Sequence, residues 1–335
     1  MVPKVTVLMA VYNAERFLAE AVSSILSQSF HDFEFLIVND GSTDRSPAVL
    51  AGFKDPRLRL IDNKVNLGLT PSLNIGLREA RGEYVARMDA DDVSLPKRLG
   101  MQAAYLDGHP GTALVGANIE GMDADGKTLW RSDNDGDPDV IAWQLLFHNH
   151  VSGHGLVMFR RDAALAAGGY DEGCRCSQDF DLWARLSQKH NLAILPQVLL
   201  RWRSHPDSVS SKGQGEQERT VASRASRRLS ELAGVEVGPE LAWDLRLFCV
   251  GKFDGLGSPL RIHRVLSQVL PSFVAHRLAA GLSPRSPESK LRAVIARGFR
   301  DWSSRVDRRR HPLRRLSAWT LAARWDPAAV LGSGM

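Results

Sequence analysis

The chain has 335 residues, of which 44% are hydrophobic and 24% charged, a composition typical of a soluble globular protein with room for one large domain and an extension. No stretch approaches the roughly 18 consecutive apolar residues of a membrane span. The N-terminus turns polar too early for a secretory signal, so we expect a cytoplasmic location. Three cysteines, two of them in the pair Cys174-x-Cys176, fit neither a zinc site nor a disulfide framework and are predicted to be reduced.

The charge is distributed unevenly along the chain. Residues 1–211 carry 21 Lys and Arg against 27 Asp and Glu, whereas residues 212–335 carry 22 against 11. In the last part, between Asp301 and Trp319, arginines alternate with Leu and Trp, which suits an interfacial helix on an anionic membrane at least as well as a nucleic-acid backbone. A solvated helical face explains the pattern equally well. We expect no nucleic-acid partner and hypothesise peripheral binding at the inner membrane face.

Short apolar runs alternate with helical patterns over the first hundred residues, which predicts βαβ units and a mixed, mostly parallel sheet flanked by helices. From about Lys212 a Ser, Gln, Gly and Glu-rich linker leads into helices without strand signals. We therefore predict a catalytic domain over 1–211 and a basic helical C-terminal region over 212–335. The first predicted elements are a strand at Val5–Val11, a helix capped by Asn13 with an apolar stripe from Phe17 to Leu26, strands at Phe33–Val38 and Leu58–Ile61, a helix capped by Thr70, and a strand at Tyr84–Met88. They continue with a helix from Pro96, a hairpin within Ala113–Arg131, a helix near Asp139–Phe147, a strand at Gly155–Arg160, a helix at Asp179–Lys189 and strands within Leu192–Trp202.

Acidic residues follow the fourth predicted strand, in Asp89-Ala90-Asp91. Where a strand breaks into a turn, two such carboxylates can converge on one hard divalent cation and leave positions open for diphosphate oxygens. The simpler interpretation is a loop that begins with acidic residues and caps the next helix. The same spacing recurs in Asp123-Ala124-Asp125-Gly126, but the Asp-Gly pair there predicts a hairpin turn without function.

Two further segments support a ligand site near Asp89-Ala90-Asp91, which we call the acidic turn. Asp40 ends the second strand, where its carboxylate can accept hydrogen bonds from a ribose or base. Asn66-Leu67-Gly68 adds an amide and a residue without a side chain where the backbone can approach a ligand.

The order of these segments resembles the family 2 glycosyltransferases, which have a GT-A nucleotide-diphospho-sugar transferase fold. The resemblance spans residues 5 to about 205. It implies that Ala10, Tyr12, Asn13, Asp40, Asn66 and Asp89 bind the nucleotide, and that Asp91 reaches the diphosphate through manganese or magnesium. The matching segments are Val7–Asn13, Phe35–Asp44, Asn66–Gly68, Ala80–Asp92 and Gln178–Leu186.

The resemblance also implies a general base, because Asp179 occupies the family's matching position. An acceptor hydroxyl loses its proton as it attacks the anomeric carbon, and a nearby carboxylate can take that proton. The family usually has Glu-Asp where this chain has Gln178-Asp179, so a contact at the acceptor side can differ. A helix N-cap is the structural alternative for Asp179, and Asp181 competes with it for the catalytic role.

Arg201–Pro206 resembles the family's closing segment, which implies that His205 is a metal ligand and Arg203 a diphosphate contact. We expect His154 to line the cleft at the diphosphate or the acceptor. The Gln-x-x-Arg-Trp signature of processive members fails by one residue, since three residues separate Gln197 from Arg201.

The sequence thus predicts an inverting, metal-dependent glycosyltransferase that uses a nucleoside-diphosphate sugar donor and a glycan or lipid-linked acceptor. A nucleotidyltransferase is one alternative, although it needs a basic residue for a triphosphate near the first turn, and Ala10–Asn13 offers none. A sugar-nucleotide sensor or membrane adaptor without turnover is the other.

Overall fold

The structure is a computed structural model that describes residues 2–151, 153–174, 176–206, 208, 214–283, 286–305 and 312–328. Contacts between residues divide the chain into two compact units, residues 1–138 with 150–214 and residues 139–149 with 215–335. The first unit is an α/β fold built on one nine-stranded sheet, and the described part of the second is helical.

Four parallel strands form one half of the sheet, in the order β3-β2-β1-β4. A helix follows each of the first three strands and returns the chain to the same end of the sheet, as the alternating pattern predicted. The elements are β1 (Val5–Val11), α1 (Leu18–Leu26), β2 (Phe33–Asn39), α2 (Ser46–Ala51), β3 (Leu58–Asp62), α3 (Leu69–Glu79) and β4 (Tyr84–Met88).

The other half of the sheet is mixed. β8 lies antiparallel between β4 and β6, β9 runs parallel to β6, and the short β5 pairs antiparallel with β9. The fold class is therefore the predicted mixed sheet flanked by helices. Its remaining elements are β5 (Val93–Ser94), α4 (Arg98–Gly108), β6 (Thr112–Met122), β7 (Thr128–Arg131), a 3-10 turn (His154–Leu156), β8 (Met158–Arg160), α6 (Arg161–Ala166), α7 (Gln178–Leu186) and β9 (Asn191–Arg203).

The core of the first unit forms where apolar strands meet the apolar stripes of helices. All seven residues of β2 are buried, as expected for a parallel strand covered on both faces. On α1 the predicted stripe is buried at Leu18, Ala21, Val22 and Ile25. This rigid layer fixes the positions from which the loops at the strand ends begin.

Two predicted helix caps are wrong. α1 starts after Phe17, and Asn13 instead has a left-handed backbone with φ of 50°. α3 begins at Leu69 after Gly68, whose φ of 99° favours glycine, so Thr70 lies inside the helix. In both places the loop geometry at the strand end outweighs the local capping preference.

The hairpin predicted around the second Asp-x-Asp is confirmed. The N–H group of Asp123 donates to the Lys127 carbonyl at 3.0 Å, and Gly126 has the positive φ of 85° that such a turn requires. Asp125 is exposed at its tip. This turn joins β6 to β7.

The second unit buries an aromatic and aliphatic core of its own. Its first helix, α5 (Pro138–Gln144), comes from the middle of the chain, and Trp143 packs edge-on against Phe273 with ring centroids 5.3 Å apart. The predicted linker falls partly outside the described residues, and a helix already begins at Gln214. The other helices are α8 (Gln214–Ala233), α9 (Pro239–Cys249), α10 (Pro259–Ala279), α11 (Glu288–Arg305) and α12 (Pro312–Trp325). Within the described part of the chain, no helix is both long enough and apolar enough to cross a bilayer.

Candidate active site

Asn13 joins the loops that follow β1 and β2. Its N–H group donates to Ser42 Oγ at 3.1 Å, and its side-chain Oδ1 accepts from the Thr43 N–H group at 2.8 Å. Ala10 lies near the end of β1, and Tyr12 just beyond it is 49% exposed. The structure therefore brings these three predicted nucleotide-binding residues to one strand end.

Asp40 organises the neighbouring loop. The Oδ1 atom of its buried carboxylate accepts from Asn63 Nδ2 at 2.8 Å and from the Leu67 N–H group at 2.9 Å, while Oδ2 accepts from the Gly68 N–H group at 2.8 Å. A carboxylate has about four lone-pair positions, so Asp40 uses most of its capacity to shape this loop. Asn66 lies exposed within it.

Helix α3 connects that loop to the segment preceding α7. Thr70 Oγ1 donates to the Cys174 carbonyl at 3.2 Å, and Asn74 Nδ2 donates to the Tyr170 carbonyl at 2.8 Å. Cys174, Cys176 and Cys249 form no disulfide in the described part of the chain. Asp40 binds Gly68, the N-cap of α3. The Asp40 loop and the segment before Asp179 are therefore both attached to this helix.

A fully buried arginine lies behind the acidic turn. The guanidinium of Arg87, in β4, donates to the Asp89 carboxylate and to the carbonyls of Met88 and, at 3.1 Å, of Leu8. Burial raises the pKa of the Asp89 carboxyl, but the charge of Arg87 and its neighbours outweighs burial and holds that pKa below its usual value. Asp89 is therefore ionised at neutral pH.

Asp91 and His205 meet although 114 residues separate them. Asp91 Oδ2 lies 3.0 Å from His205 Nε2, and the imidazole also packs against the ring of Phe17, with centroids 5.1 Å apart. Burial and the charge of Asp89 both raise the pKa of the Asp91 carboxyl. The repulsion between Asp89 and Asp91 is of the kind that a bound cation relieves.

A divalent cation fits the donor atoms at this position. Among the residues that the structure describes, no three His, Cys, Asp or Glu side chains converge as a complete metal centre. Asp91 and His205 supply one carboxylate oxygen and one imidazole nitrogen, and manganese accepts both donor types. Such a two-residue site depends on ligand oxygens to complete its coordination.

Arg203 holds the end of β9 to the acidic turn. Its buried guanidinium donates to the carbonyls of Asp91 and Ala124, each at 2.9 Å, and to the Glu20 carboxylate at 2.6 Å. Its N–H group donates to Asp92 Oδ1 at 2.9 Å. Each of the three guanidinium nitrogens therefore has a partner within the chain. The diphosphate contact that the resemblance implies for Arg203 stays a prediction.

Asp179 lies in the first turn of α7. The helix N-cap is Ser177, with a left-handed φ of 56°, and not Asp179 as the structural alternative supposed. Burial raises the pKa of the Asp179 carboxyl, and the charges of Asp89 and Arg87 both act on it. Asp179 thus belongs to the same group of charges as the acidic turn.

The competing carboxylate, Asp181, has a structural contact. Its Oδ2 atom accepts from Arg185 Nε at 2.8 Å, one helical turn away, and its side chain is only 6% exposed. Arg185 in turn donates to the Gly169 carbonyl at 2.7 Å. Asp181 therefore helps to anchor α7 to the preceding loop.

His154 lies between Arg87 and Tyr170. Its Nε2 atom is 3.3 Å from Arg87 Nε and 3.0 Å from the Tyr170 hydroxyl, so it accepts from both when the proton is on Nδ1. Burial and the charge of Arg87 lower the pKa of His154 to about 3. The imidazole is therefore neutral and links the acidic turn to the loop before α7.

The sequence analysis missed Arg87, Tyr170 and Gly155. An added Cβ at Gly155 would lie 2.7 Å from Asp89 Oδ2 and 3.1 Å from Asp92 Oδ2, so only glycine allows this close approach. Arg87 was open to detection, because a charged residue inside an apolar strand, two positions before Asp89, points to the same face of the sheet. Nothing local to Tyr170 or Gly155 indicates their role.

Comparison with known proteins identifies the family. The family model described as glycosyl transferase family 2 matches residues 6–166. The chain is 38% identical over 193 residues to the putative glycosyltransferase EpsE of Bacillus subtilis. The aligned residues cover 56% of this chain and 68% of EpsE. It is 32% identical over 206 residues to the amylovoran biosynthesis glycosyltransferase AmsE of Erwinia amylovora, covering 62% of this chain and 79% of AmsE. The chain belongs to glycosyl transferase family 2.

This family 2 enzyme is a glycosyltransferase, as the sequence predicted. Its fold matches that of the mannosyltransferase PcManGT from Pyrobaculum calidifontis, solved in complex with GDP-Man and Mn²⁺, with a TM-score of 0.53 at 18% identity. The match covers 99% of this chain and 88% of PcManGT. The GT-A fold expected from the sequence is confirmed.

Proposed function

We propose that this glycosyltransferase moves a sugar, with inversion at the anomeric carbon, from a nucleoside-diphosphate sugar to an acceptor hydroxyl, and that the reaction depends on a divalent cation. The observation that carries the proposal is the position of Asp179, a half-buried carboxylate in the first turn of α7 that lies near enough to Asp89 and Arg87 for their charges to act on its pKa. A displacement at one carbon atom needs the base and the turn that binds the diphosphate to lie close together.

Asp179 removes the proton of the acceptor hydroxyl. The new bond forms between the acceptor oxygen and the anomeric carbon while the bond from that carbon to the diphosphate oxygen breaks, and its electron pair leaves with the nucleoside diphosphate. Burial raises the pKa of Asp179, which makes the carboxylate a stronger base than one in water. A single displacement of this kind inverts the configuration.

Asp91 and His205 would hold a manganese or magnesium ion. Their 3.0 Å approach at the end of β4, beside the ionised Asp89, supports this assignment, as does the Mn²⁺ in the PcManGT complex. Such a cation, when bound, neutralises charge on a departing diphosphate. Arg203 keeps Asp91 in place through its backbone carbonyl.

The nucleotide would lie along the ends of β1 and β2, against Ala10, Tyr12, Asn13, Asp40, Asn66 and Asp89. The GDP-Man in PcManGT supports a nucleoside-diphosphate sugar as the donor. Asp40 contributes mainly by holding the loop that presents Asn66, since three of its hydrogen bonds go to that loop. His154, enclosed by Arg87 and Tyr170, would position the site, and its contact with the acceptor or the diphosphate stays a prediction.

The acceptor would be a glycan or a lipid-linked glycan. AmsE, 32% identical over 206 residues, is named for amylovoran biosynthesis, which supports a role in building a polysaccharide of the cell envelope. A cytoplasmic location suits a nucleotide-sugar donor.

A screen of nucleotide sugars tests the proposal. The purified enzyme is melted with each donor in the presence of Mn²⁺ or Mg²⁺, and with a chelator in place of the metal. We expect one donor class to raise the melting temperature only when metal is present, because a ligand stabilises the state that it binds. Protection that is equal with chelator would contradict the metal requirement.

The identified donor is then incubated with candidate acceptors, and the products are analysed. Release of nucleoside diphosphate together with an inverted anomeric configuration, read by NMR, supports the proposed reaction. Retained configuration would rule out direct displacement assisted by Asp179. Release of pyrophosphate would instead indicate nucleotidyl transfer.

A further inference from the structure

Helix α12 carries large apolar side chains on the side that faces away from its own core. In a globular protein that side of a helix is normally polar. Single exposed apolar residues are common, but here three recur at a spacing of three residues. We call them the outer face of α12: Leu313 is 78% exposed, Leu316 60% and Trp319 47%.

The outer face lies opposite the buried face of the same helix. At 3.6 residues per turn, Leu316 is about 170° around the helix from the centre of the buried residues. Leu313 and Trp319 flank it, one on each side, within the same exposed half. The buried residues are Ala318, Leu321, Ala322 and Trp325.

The helix that bears the outer face carries charges of one sign. Between Pro312 and Trp325 the sequence contains Arg314, Arg315 and Arg324 and no acidic residue. α10 likewise has no acidic residue and exposes Arg261 and Arg264, whereas its third arginine, Arg277, is buried and paired with Asp139. The two helices touch where the rings of His263 and Trp325 approach to 5.5 Å.

We propose that the outer face of α12 docks onto an anionic lipid surface. Leucine and tryptophan side chains enter the headgroup region, where the amphipathic indole is favoured, and the flanking arginines attract lipid phosphates. A second copy of this chain is a poorer partner, since residues 212–335 hold 22 Lys and Arg against 11 Asp and Glu and would repel their counterpart. The inference uses only the second unit and is independent of the proposed reaction.

The test measures binding of the full chain to vesicles. We expect sedimentation with vesicles of phosphatidylcholine and phosphatidylglycerol, weaker sedimentation as salt is added, and little with phosphatidylcholine alone. The triple variant Leu313→Ser, Leu316→Ser and Trp319→Ser is expected to lower the partition coefficient by roughly tenfold or more, because interfacial binding scales with buried apolar area.

A matched control replaces three exposed apolar residues elsewhere, Leu129→Ser, Val235→Ser and Leu278→Ser, and should bind vesicles like the wild type. Unchanged melting temperature and unchanged transfer to a soluble acceptor show that the outer-face variant is folded. The proposal is overturned if the wild type ignores both vesicle types or if the outer-face variant binds like the wild type. A dimer that only the outer-face variant loses, without vesicle binding, also overturns it.

Discussion

The Nε–H group of Arg87 points at Nε2 of His154, 3.3 Å away, and the Tyr170 hydroxyl approaches the same nitrogen from 3.0 Å. One neutral imidazole thus receives hydrogen bonds from the strand that carries the acidic turn and from the loop before α7. The contact holds the buried guanidinium of Arg87 beside Asp89. Because the imidazole of His154 is neutral, it adds no second positive charge there.

This contact predicts how stability depends on pH. The pKa of His154 is about 3 in the folded chain against about 6.5 in an unfolded one. Below pH 6.5 only the unfolded chain takes up the proton, so this residue removes up to about 1.4 kcal/mol of stability per pH unit as the pH falls toward 3. His154→Gln should flatten the curve of unfolding free energy against pH, measured by urea denaturation. The exposed His31→Gln is the control, and parallel curves for wild type and His154→Gln would contradict the assignment.

Gly155→Ala should damage activity more than stability. The added methyl group would lie 2.7 Å from Asp89 Oδ2, so the carboxylate has to move. A displacement of about 1 Å at a reacting site can lower the rate roughly a hundredfold. We expect kcat/KM to fall by about ten- to a hundredfold. Gly111→Ala, where the added methyl group meets nothing within 4 Å, should retain wild-type kinetics. Equal kinetics in both variants would show that the acidic turn tolerates the shift.

Removing the charge of Asp179 or of Asp181, both on α7, should affect kcat and stability differently. Asp179→Asn is expected to lower kcat by about 10² to 10⁴, the usual contribution of a general base, with donor binding little changed. Asp181→Asn removes the partner of Arg185 and should cost about 1 to 3 kcal/mol of stability while kcat stays near the wild-type value. Initial rates at saturating donor and urea denaturation separate the two effects. The opposite pattern would assign the base to Asp181.

The Asp91 and His205 pair should set the metal requirement. Asp91→Asn and His205→Gln are each expected to raise the Mn²⁺ concentration for half-maximal activity by roughly ten- to a hundredfold, because each removes a ligand from a site with few protein ligands. Asp125→Asn, in the Asp-x-Asp of the exposed hairpin, is the matched control. A metal titration that is the same for all three variants would exclude this pair as the metal site.

Local sequence predicted the elements best where one physical signal dominates. β1 and β4 have the predicted bounds because a strand buried on both faces is a mostly apolar run, interrupted in these two strands by Thr6 and Arg87. The caps at Asn13 and Thr70 failed because hydrogen bonds across the loops, such as that from the Thr43 N–H group to Asn13, outweigh local preference.

The residues of the candidate site also differ in how far the sequence alone pointed to them. Asp89, Asp91 and His205 were predicted because the motif spacing of a known family carries over to this chain. The environment of Arg87 was not, because its partner His154 is 67 residues away and no periodic pattern connects them. Long-range contacts of that kind become visible only when the fold brings the two segments together.

Helix α5 has a consequence for dissecting the molecule. Residues 139–149 leave the first unit, contribute Trp143 to the aromatic core beside Phe273, and return. A fragment that stops at residue 211 would expose that indole to solvent, and a fragment that starts at residue 212 would lack the ring that Phe273 packs against. We therefore expect the two halves to be soluble together, as co-expressed complementary fragments, more readily than either one by itself.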